Sequence, residues 1–204
     1  PADALRSTTI HTNARRMTGC PGAEQQEQEK AAEPRPRLFL VVLGGRADGA
    51  HIELHDVRFV VGETLEATLP TLRRQWFGRR RGLHIDSYME VRQVGAFAVQ
   101  LRREAFQGAE RLWFVNVGGY QPHLLAEEHA FGLVVAATAA GAKREALGLW
   151  LPESLSRHKD DLHAIEAVDD CLPLQTVGGW QVHLYPAAGP APPQHPDWFG
   201  YRPI

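Results

Sequence analysis

The sequence predicts an α+β fold built from two repeated β-β-α-β-β units, and three observations lead to this prediction. Residues 38–94 match residues 112–168 at a constant offset, without a gap. Each copy begins with a short apolar run that ends in two glycines, as a buried strand would. Each copy also contains one segment of helical periodicity. Because one helix covers only one face of a sheet, we expect the two units to pack together about a pseudo-two-fold axis.

The first unit is predicted to span residues 37–110. Strands are expected at 38–43 and 52–61, and a helix follows because Leu65, Leu69, Leu72 and Trp76 recur at helical spacing, with Gly78 as its stop. Pro70 lies inside this pattern and would cost an interior helix about 3 kcal/mol, so the helix either begins near Pro70 or is kinked there. Two strands, at 85–94 and 97–102, complete the unit.

The second unit is predicted to span residues 111–185. Its expected elements are strands at 112–117 and 130–135, a helix at 139–150 without proline, and strands at 162–168 and 180–185 separated by an insertion around residues 171–178. Trp76 and Trp150 take equivalent places near the two helix ends, where we expect core anchors. A proline-rich tail, residues 186–204, carries Trp198, Phe199 and Tyr201, and we expect it to dock on the body of the protein.

Residues 1–36 differ from the rest of the chain because they show no apolar periodicity. They contain an Arg pair, a Glu- and Gln-rich run and Pro34-Arg35-Pro36, so they bury too little surface to offset their ordering entropy. We predict a disordered N-terminal segment here. The sequence begins with Pro1, and we regard Met17 as an alternative natural start.

The composition is that of an ordinary globular protein and implies no strongly charged partner. The chain has 204 residues, 44% hydrophobic and 23% charged, with a formal net charge of −2. Its apolar runs are shorter than the roughly 18 residues of a membrane span. Two cysteines, Cys20 and Cys171, make no disulfide framework, which favours a cytoplasmic location.

Four sequence strings carry a resemblance to a known family: residues 38–45, 52–56, 83–89 and 114–120. They resemble the bacterial family known as domain of unknown function 1543, over about residues 37–185. That family carries one or two copies of the unit, which implies two tandem copies here, and it brings no activity with it. Apart from His158 and Asp160, the second copy matches residues 83–89 poorly.

Two pairs of polar residues recur in the repeat and mark the candidate site. Residues two apart on a strand point to the same face, so each pair presents two side chains together. Two imidazoles and two carboxylates from neighbouring strands would form an N2O2 site for Zn, Fe or Mn, a divalent transition metal whose bound water becomes a nucleophile. The residues are Glu53, His55, His84 and Asp86 in the first copy and Glu127, His129, His158 and Asp160 in the second.

Other interpretations of these residues stay open. His84 would act as a metal-free acid or base oriented by Asp86 or Glu53, or the polar residues only fix strand register through hydrogen bonds. As a binding or regulatory module for a small molecule or protein, the fold would instead place them in a pocket between the units. This last function is the leading prediction, with the metal-binding protein or metal-dependent enzyme as its alternative. The catalytic residues, if any, and the ligand are not identified by the sequence.

Two further motifs, the paired glycines and the arginines near Trp76, resemble parts of phosphate-binding sites. Gly44-Gly45 and Gly118-Gly119 are not followed by a phosphate-binding pattern, so we expect them to serve tight chain reversal. Arginines 73, 74 and 79–81 around Trp76 could contact nucleic-acid phosphates, but the chain is slightly acidic and the second copy lacks this charge. A nucleic-acid partner is therefore not favoured, and a homo-oligomer is compatible with the sequence but not required by it.

Overall fold

Each copy of the repeat begins with an antiparallel strand pair, and the two pairs have the same register. The computed structural model describes residues 35–119, 123–150 and 171–204. Gly44 lies opposite His55 in the first pair, and Gly118 lies opposite His129 in the second. The constant offset seen in the sequence is thus kept throughout both pairs. Their strands are β1 (Arg37–Gly45) with β2 (Leu54–Gly62), and β6 (Arg111–Gly119) with β7 (Glu128–Ala136).

Several predictions fall on residues outside the described parts of the chain. They are the N-terminal segment up to residue 34, the second copy's strand at 162–168, and the candidate site residues His158 and Asp160.

One helix follows each strand pair, α1 (Leu65–Gln75) and α2 (Ala139–Trp150). The helical prediction at both places is confirmed. Helix α1 begins at Leu65 rather than near Pro70, because the Thr64 side chain caps it by accepting a hydrogen bond from the Ala67 N–H. Pro70 lies inside the helix at an exposed position. Trp76 is buried at the end of α1, which confirms its predicted role as a core anchor.

The remaining strands complete three antiparallel sheets among the described residues, and the predicted α+β class is confirmed. The sheet orders are β11-β3-β1-β2, β7-β6-β8 and β4-β5-β10-β9, so the third sheet combines strands from both copies. The added strands are β3 (His84–Glu90), β4 (Gln93–Val94), β5 (Phe97–Arg102), β8 (Cys171–Pro173), β9 (Thr176–Val177), β10 (Trp180–Pro186) and β11 (Trp198–Pro203).

The predicted insertion around residues 171–178 is wrong, because these residues form β8 and β9. Pro173 on β8 lies opposite Trp113 on β6, as Glu90 on β3 lies opposite Phe39 on β1. More residues separate Glu90 from Pro173 in the sequence than separate Phe39 from Trp113, although the two pairs of positions are structurally equivalent. The additional residues of the second copy therefore precede β8.

The core has one layer between the two strand pairs and one under each helix. Leu38 and Leu40 of β1 pack in the shared layer with Leu112 and Phe114 of β6. The alternate β1 residues, such as Val41, face α1 instead, as the two-residue period of a strand requires. A third cluster lies between β6 and α2. The candidate site lies at the end of β1.

The C-terminal tail contributes β11, which pairs with β3 at the edge of the first sheet. Trp198 packs against the cluster under α1 and stacks on Tyr88. No helix among the described residues has the length and apolar character needed to cross a bilayer.

Candidate functional site

The site is built around Gly44, which lies between two histidines on neighbouring strands. Gly44 is opposite His55 on β2 and opposite His84 on β3. Opposed residues of antiparallel strands lie on the same face, so both side chains project on the side where Gly44 has none. A Cβ at Gly44 would overlap His84 Nε2 and would lie only 3.0 Å from Asp86 Oδ2. The absence of a side chain at Gly44 lets the polar groups converge.

This contact corrects the interpretation of the paired glycines as chain-reversal residues. Gly44 and Gly45 are the last residues of a paired strand, and neither has a positive φ. Gly45 also contacts another side chain, because a Cβ there would lie 2.8 Å from the Trp76 ring. Gly118, the counterpart of Gly44, leaves space in the same way for Glu127.

All four residues predicted for the first site come together in one network. His84 Nε2 lies 3.1 Å from Asp86 Oδ1 and 3.6 Å from Glu53 Oε1. His55 Nε2 lies 3.3 Å from Asp86 Oδ2, so Asp86 bridges the two imidazoles. The β1–β3 register shifts at this point: Ser87 is opposite Val42 but Ile85 is opposite the next residue, so no β1 residue lies opposite Asp86. A bulge of this kind re-aims a side chain, here toward both histidines.

The two histidines differ sharply in exposure. The side chain of His84 is 2% exposed and that of His55 is 55% exposed. His84 Nδ1 donates to the Gly82 carbonyl at 2.9 Å, since that oxygen can only accept. The structure thus places a buried imidazole, with Nδ1 on a backbone carbonyl, so that its Nε2 lies beside two carboxylates.

Tyr201 covers His84 and was not predicted as a site residue. Its ring centroid lies 4.2 Å from that of His84, with the planes inclined at 34°. The signal available in the sequence was the aromatic cluster of the tail, but nothing local indicates which strand the tail pairs with. Gly44 and Gly82 were also missed as site residues, because no local pattern indicates which side chain contacts them.

Ion pairs hold the tail strand that carries Tyr201. Arg202 Nη2 lies 3.0 Å from Glu66 Oε1, and Arg92 Nη1 lies 3.1 Å from Asp197 Oδ1. The pKa of Glu66 is lowered by a hydrogen bond from its own backbone N–H and by Arg202. The pKa of Arg92 is raised, chiefly by its hydrogen bond to Asp197.

The second copy brings together a smaller set of polar groups. His129 Nε2 lies 3.7 Å from Glu127 Oε2, and the Asn116 amide donates to His129 Nδ1 at 3.3 Å. The predicted partners His158 and Asp160 lie outside the described residues. Because the insertion precedes β8, His158 corresponds to His84 only if the inserted residues follow Asp160.

The geometry of the first site is that of a network of close imidazole–carboxylate contacts. Both Nε2 atoms face oxygens of Asp86 at 3.1 and 3.3 Å, whereas a metal would need its ligands about 2 Å from one point. Within residues 35–119, 123–150 and 171–204, no group of three or more His, Cys, Asp or Glu side chains is arranged to hold a metal ion.

A cavity of about 960 Å³ opens between the two strand pairs, beside His55 and His129. Most of its walls are apolar, with hydrogen-bonding groups at a few points. His55 and His129 occupy equivalent strand positions in the repeat, so the cavity receives one histidine from each copy. Its walls include Val42, Val57, Phe59, Phe114, Asn116 and Phe131.

These features define an α+β protein with two related strand-pair and helix units and a cavity between them. The family model described as Domain of Unknown Function (DUF1543) matches residues 50–101 and 124–172, one region in each copy. The chain belongs to this family, and two tandem copies agree with the repeat. It is also similar to a solved structure, the protein Il1583 from Idiomarina loihiensis, with 38% sequence identity and a TM-score of 0.64. That match covers 82% of this chain and 97% of the other. Comparison with curated proteins gives no match.

Proposed function

We propose that the protein binds a small molecule in the cavity between its two units. The observation that carries this proposal is the cavity itself, which has about 960 Å³ of space and mainly apolar walls. Ligand sites in proteins have this size and combine apolar walls with a few polar groups that orient the ligand. The exposed side chains of His55 and His129 supply such groups from both copies.

The network behind His55 supports a positioning role for Asp86. Asp86 is held by the buried His84 and contacts His55 through its other oxygen. This contact fixes the orientation of the His55 ring at the cavity wall. The buried His84 thus contributes to binding through Asp86 and His55, without itself lining the cavity.

We also propose that the cavity lies on or near a pseudo-two-fold axis relating two β-β-α-β-β units. The identical register of the two strand pairs, the shared core layer and the two family-model matches support this arrangement. An intracellular, cytoplasmic location remains part of the proposal, supported by Cys171 being a free thiol.

The binding proposal is tested with a fluorescent aromatic probe, 1-anilinonaphthalene-8-sulfonate, and a variant that fills the cavity. Val57 and Phe131 are equivalent positions of the two copies and both line the cavity, so Val57→Phe gives the first copy the side chain that the second copy already has. We expect saturable binding of about one probe per chain, weakened about ten-fold or more by Val57→Phe, because loss of about 1.4 kcal/mol changes affinity ten-fold. Ile52→Phe, at a residue that is 74% exposed, is the matched control. Binding that is insensitive to Val57→Phe, or no saturable binding, would refute the proposal.

A metal-binding protein or metal-dependent enzyme is the second candidate, favoured by the close grouping of Glu53, His55, His84 and Asp86. These types of side chain are suitable ligands for Zn, Fe or Mn. The network would have to open, with both Nε2 atoms turning from Asp86 to the metal. Plasma mass spectrometry tests whether the protein binds a metal. Metal content is measured for the untagged protein and for the His55→Ala, His84→Ala double variant. Stoichiometric metal lost in the variant supports the metalloprotein, and metal-free wild-type protein excludes it.

A further inference from the structure

A side-chain amide pairs with the outer strand of the second copy. Gln194, in the tail, accepts a hydrogen bond from the Leu133 N–H at 2.8 Å through Oε1. Its Nε2 donates to the Leu133 carbonyl at 2.7 Å. Within the described residues β7 is the outer strand of its sheet, so this amide takes the place of a neighbouring strand over one residue. The Leu133 N–H and C=O therefore point away from β6.

Phe59 is the residue of the first copy that corresponds to Leu133. Phe59 lies opposite Leu40 on β1, just as Leu133 lies opposite Phe114 on β6. In an antiparallel pair the N–H and C=O of one residue point together toward the partner strand or together away from it. Because the registers are identical, the Phe59 N–H and C=O also point outward. In the described part of the chain β2 is an outer strand, and Phe59 lines the cavity.

Arg58 adds an unpaired donor beside this edge. Its Nη2 forms an ion pair with Asp56 and its Nη1 donates to the Val57 carbonyl at 3.4 Å. Its Nε is buried and has no hydrogen-bond partner among the described residues. An unpaired buried donor in a folded protein calls for a specific explanation, and a bound acceptor is one.

The equivalent position in the second copy shows where an acceptor on the Phe59 N–H would lie relative to Arg58. Arg58 corresponds to Gly132, and a Cβ at Gly132 would be 3.2 Å from Gln194 Oε1. A carbonyl oxygen bound to the Phe59 N–H in the same pose would therefore lie beside the first carbon of the Arg58 side chain. A small shift of the ligand would accommodate this carbon.

We propose that the ligand of the cavity carries a planar amide edge, a primary carboxamide or a lactam, that pairs with the Phe59 backbone as Gln194 pairs with Leu133. This inference rests on the proposed binding function and specifies its ligand class. The amide C=O accepts from the Phe59 N–H, and its N–H donates to the Phe59 carbonyl. A carboxylate fits poorly because it would place a second acceptor against that carbonyl. The apolar part of the ligand packs against Phe59 and Phe114, whose rings meet edge to face at 5.3 Å.

The test is a titration of ¹⁵N-labelled protein followed by amide chemical shifts. Benzamide carries the complete amide edge, whereas N,N-dimethylbenzamide lacks the N–H donor and benzoate carries only acceptors. We expect benzamide to shift the Phe59 amide resonance and to slow its hydrogen exchange. We expect the other two probes to bind about ten-fold more weakly, the factor that corresponds to loss of one hydrogen bond.

A pair of variants isolates the backbone donor. Phe59→Pro removes the outward N–H, and an outer strand tolerates proline where the N–H is not used in the ladder. Phe59→Leu loses the ring but keeps the N–H and is the matched control. We expect benzamide to bind Phe59→Pro about ten-fold more weakly than Phe59→Leu, as loss of one hydrogen bond implies. If Phe59→Pro does not fold, the wild-type titration decides instead, and an unchanged Phe59 amide resonance with benzamide bound overturns the inference.

The outcomes separate this inference from the binding function. If all three probes shift cavity residues equally, the cavity binds small molecules and the amide preference is overturned. If benzamide shifts cavity residues without affecting the Phe59 amide or its exchange, the docking position is overturned. If no probe shifts any cavity residue up to its solubility limit, the amide inference is overturned, and the proposed function is decided separately by the 1-anilinonaphthalene-8-sulfonate titration.

Discussion

Replacing Gly44 with alanine tests whether the close approach over β1 stabilises the fold. The new Cβ would overlap His84 Nε2 and would lie 2.8 Å from Cε1 of the same ring. That ring is 2% exposed and is held by the Gly82 carbonyl and Tyr201, so it has little room to move. The backbone of Gly44 has no positive φ, so alanine introduces no backbone strain.

The expected cost combines two effects. Overpacking of a buried site costs about 1–3 kcal/mol. Displacing the His84 ring also weakens its contact with Asp86, which adds about 1 kcal/mol. The reduced chain entropy of the unfolded state with alanine offsets about 0.4–1 kcal/mol. We therefore expect Gly44→Ala to lower the free energy of unfolding by about 1–3.5 kcal/mol, with a central value of about 2 kcal/mol.

The second copy provides a matched control in Gly118→Ala. A Cβ at Gly118 would overlap Glu127 Oε1, but this is the far end of a flexible and partly exposed side chain. The carboxylate can swing away, so we expect a change of less than about 1 kcal/mol. Urea denaturation at neutral pH measures both variants, with unchanged m-values as the check on comparable unfolding.

A His84→Ala background locates the cause of the effect. Once the ring is removed, Gly44→Ala should cost less than about 1 kcal/mol, and the difference between backgrounds is the interaction free energy. The reasoning is refuted if Gly44→Ala and Gly118→Ala destabilise equally. It is also refuted if Gly44→Ala costs the same with and without His84.

Three further predictions concern other contacts. Gln194→Ala should lower stability by about 1 kcal/mol and speed hydrogen exchange at Leu133, because both backbone groups lose their partner; unchanged exchange there would contradict the pairing. Thr64→Ala should cost about 1 kcal/mol in urea denaturation by removing the cap of α1; a neutral result would show that the cap contributes nothing. The pKa of Cys171 is raised by burial, with a smaller opposing effect of Lys143, so its thiolate forms at a higher pH than that of an exposed thiol. Alkylation by iodoacetamide, followed by peptide mass spectrometry, should therefore accelerate at higher pH than for glutathione, and an equal or lower midpoint would disprove this.

The sequence by itself determined the elements and their repetition. Strands and helices follow from apolar periods of two and about 3.6 residues, which are local properties, so α1 and α2 were predicted within a few residues of their ends. The repeat identified which residues are equivalent. It also selected Glu53, His55, His84 and Asp86, whose grouping follows because they lie at the adjoining ends of neighbouring strands.

Only the tertiary structure decided what these residues do. Whether His55 or His84 is buried depends on Tyr201, which reaches the site because the tail pairs with β3. The role of Gly44 depends on its contact with β3, a strand that is separated from β1 in the sequence by β2 and α1. The pairing of β8 with β6 showed that the insertion precedes Cys171. The cavity likewise exists only where the two copies meet. Such contacts join segments distant in sequence, so their free energies depend on packing that no local pattern encodes.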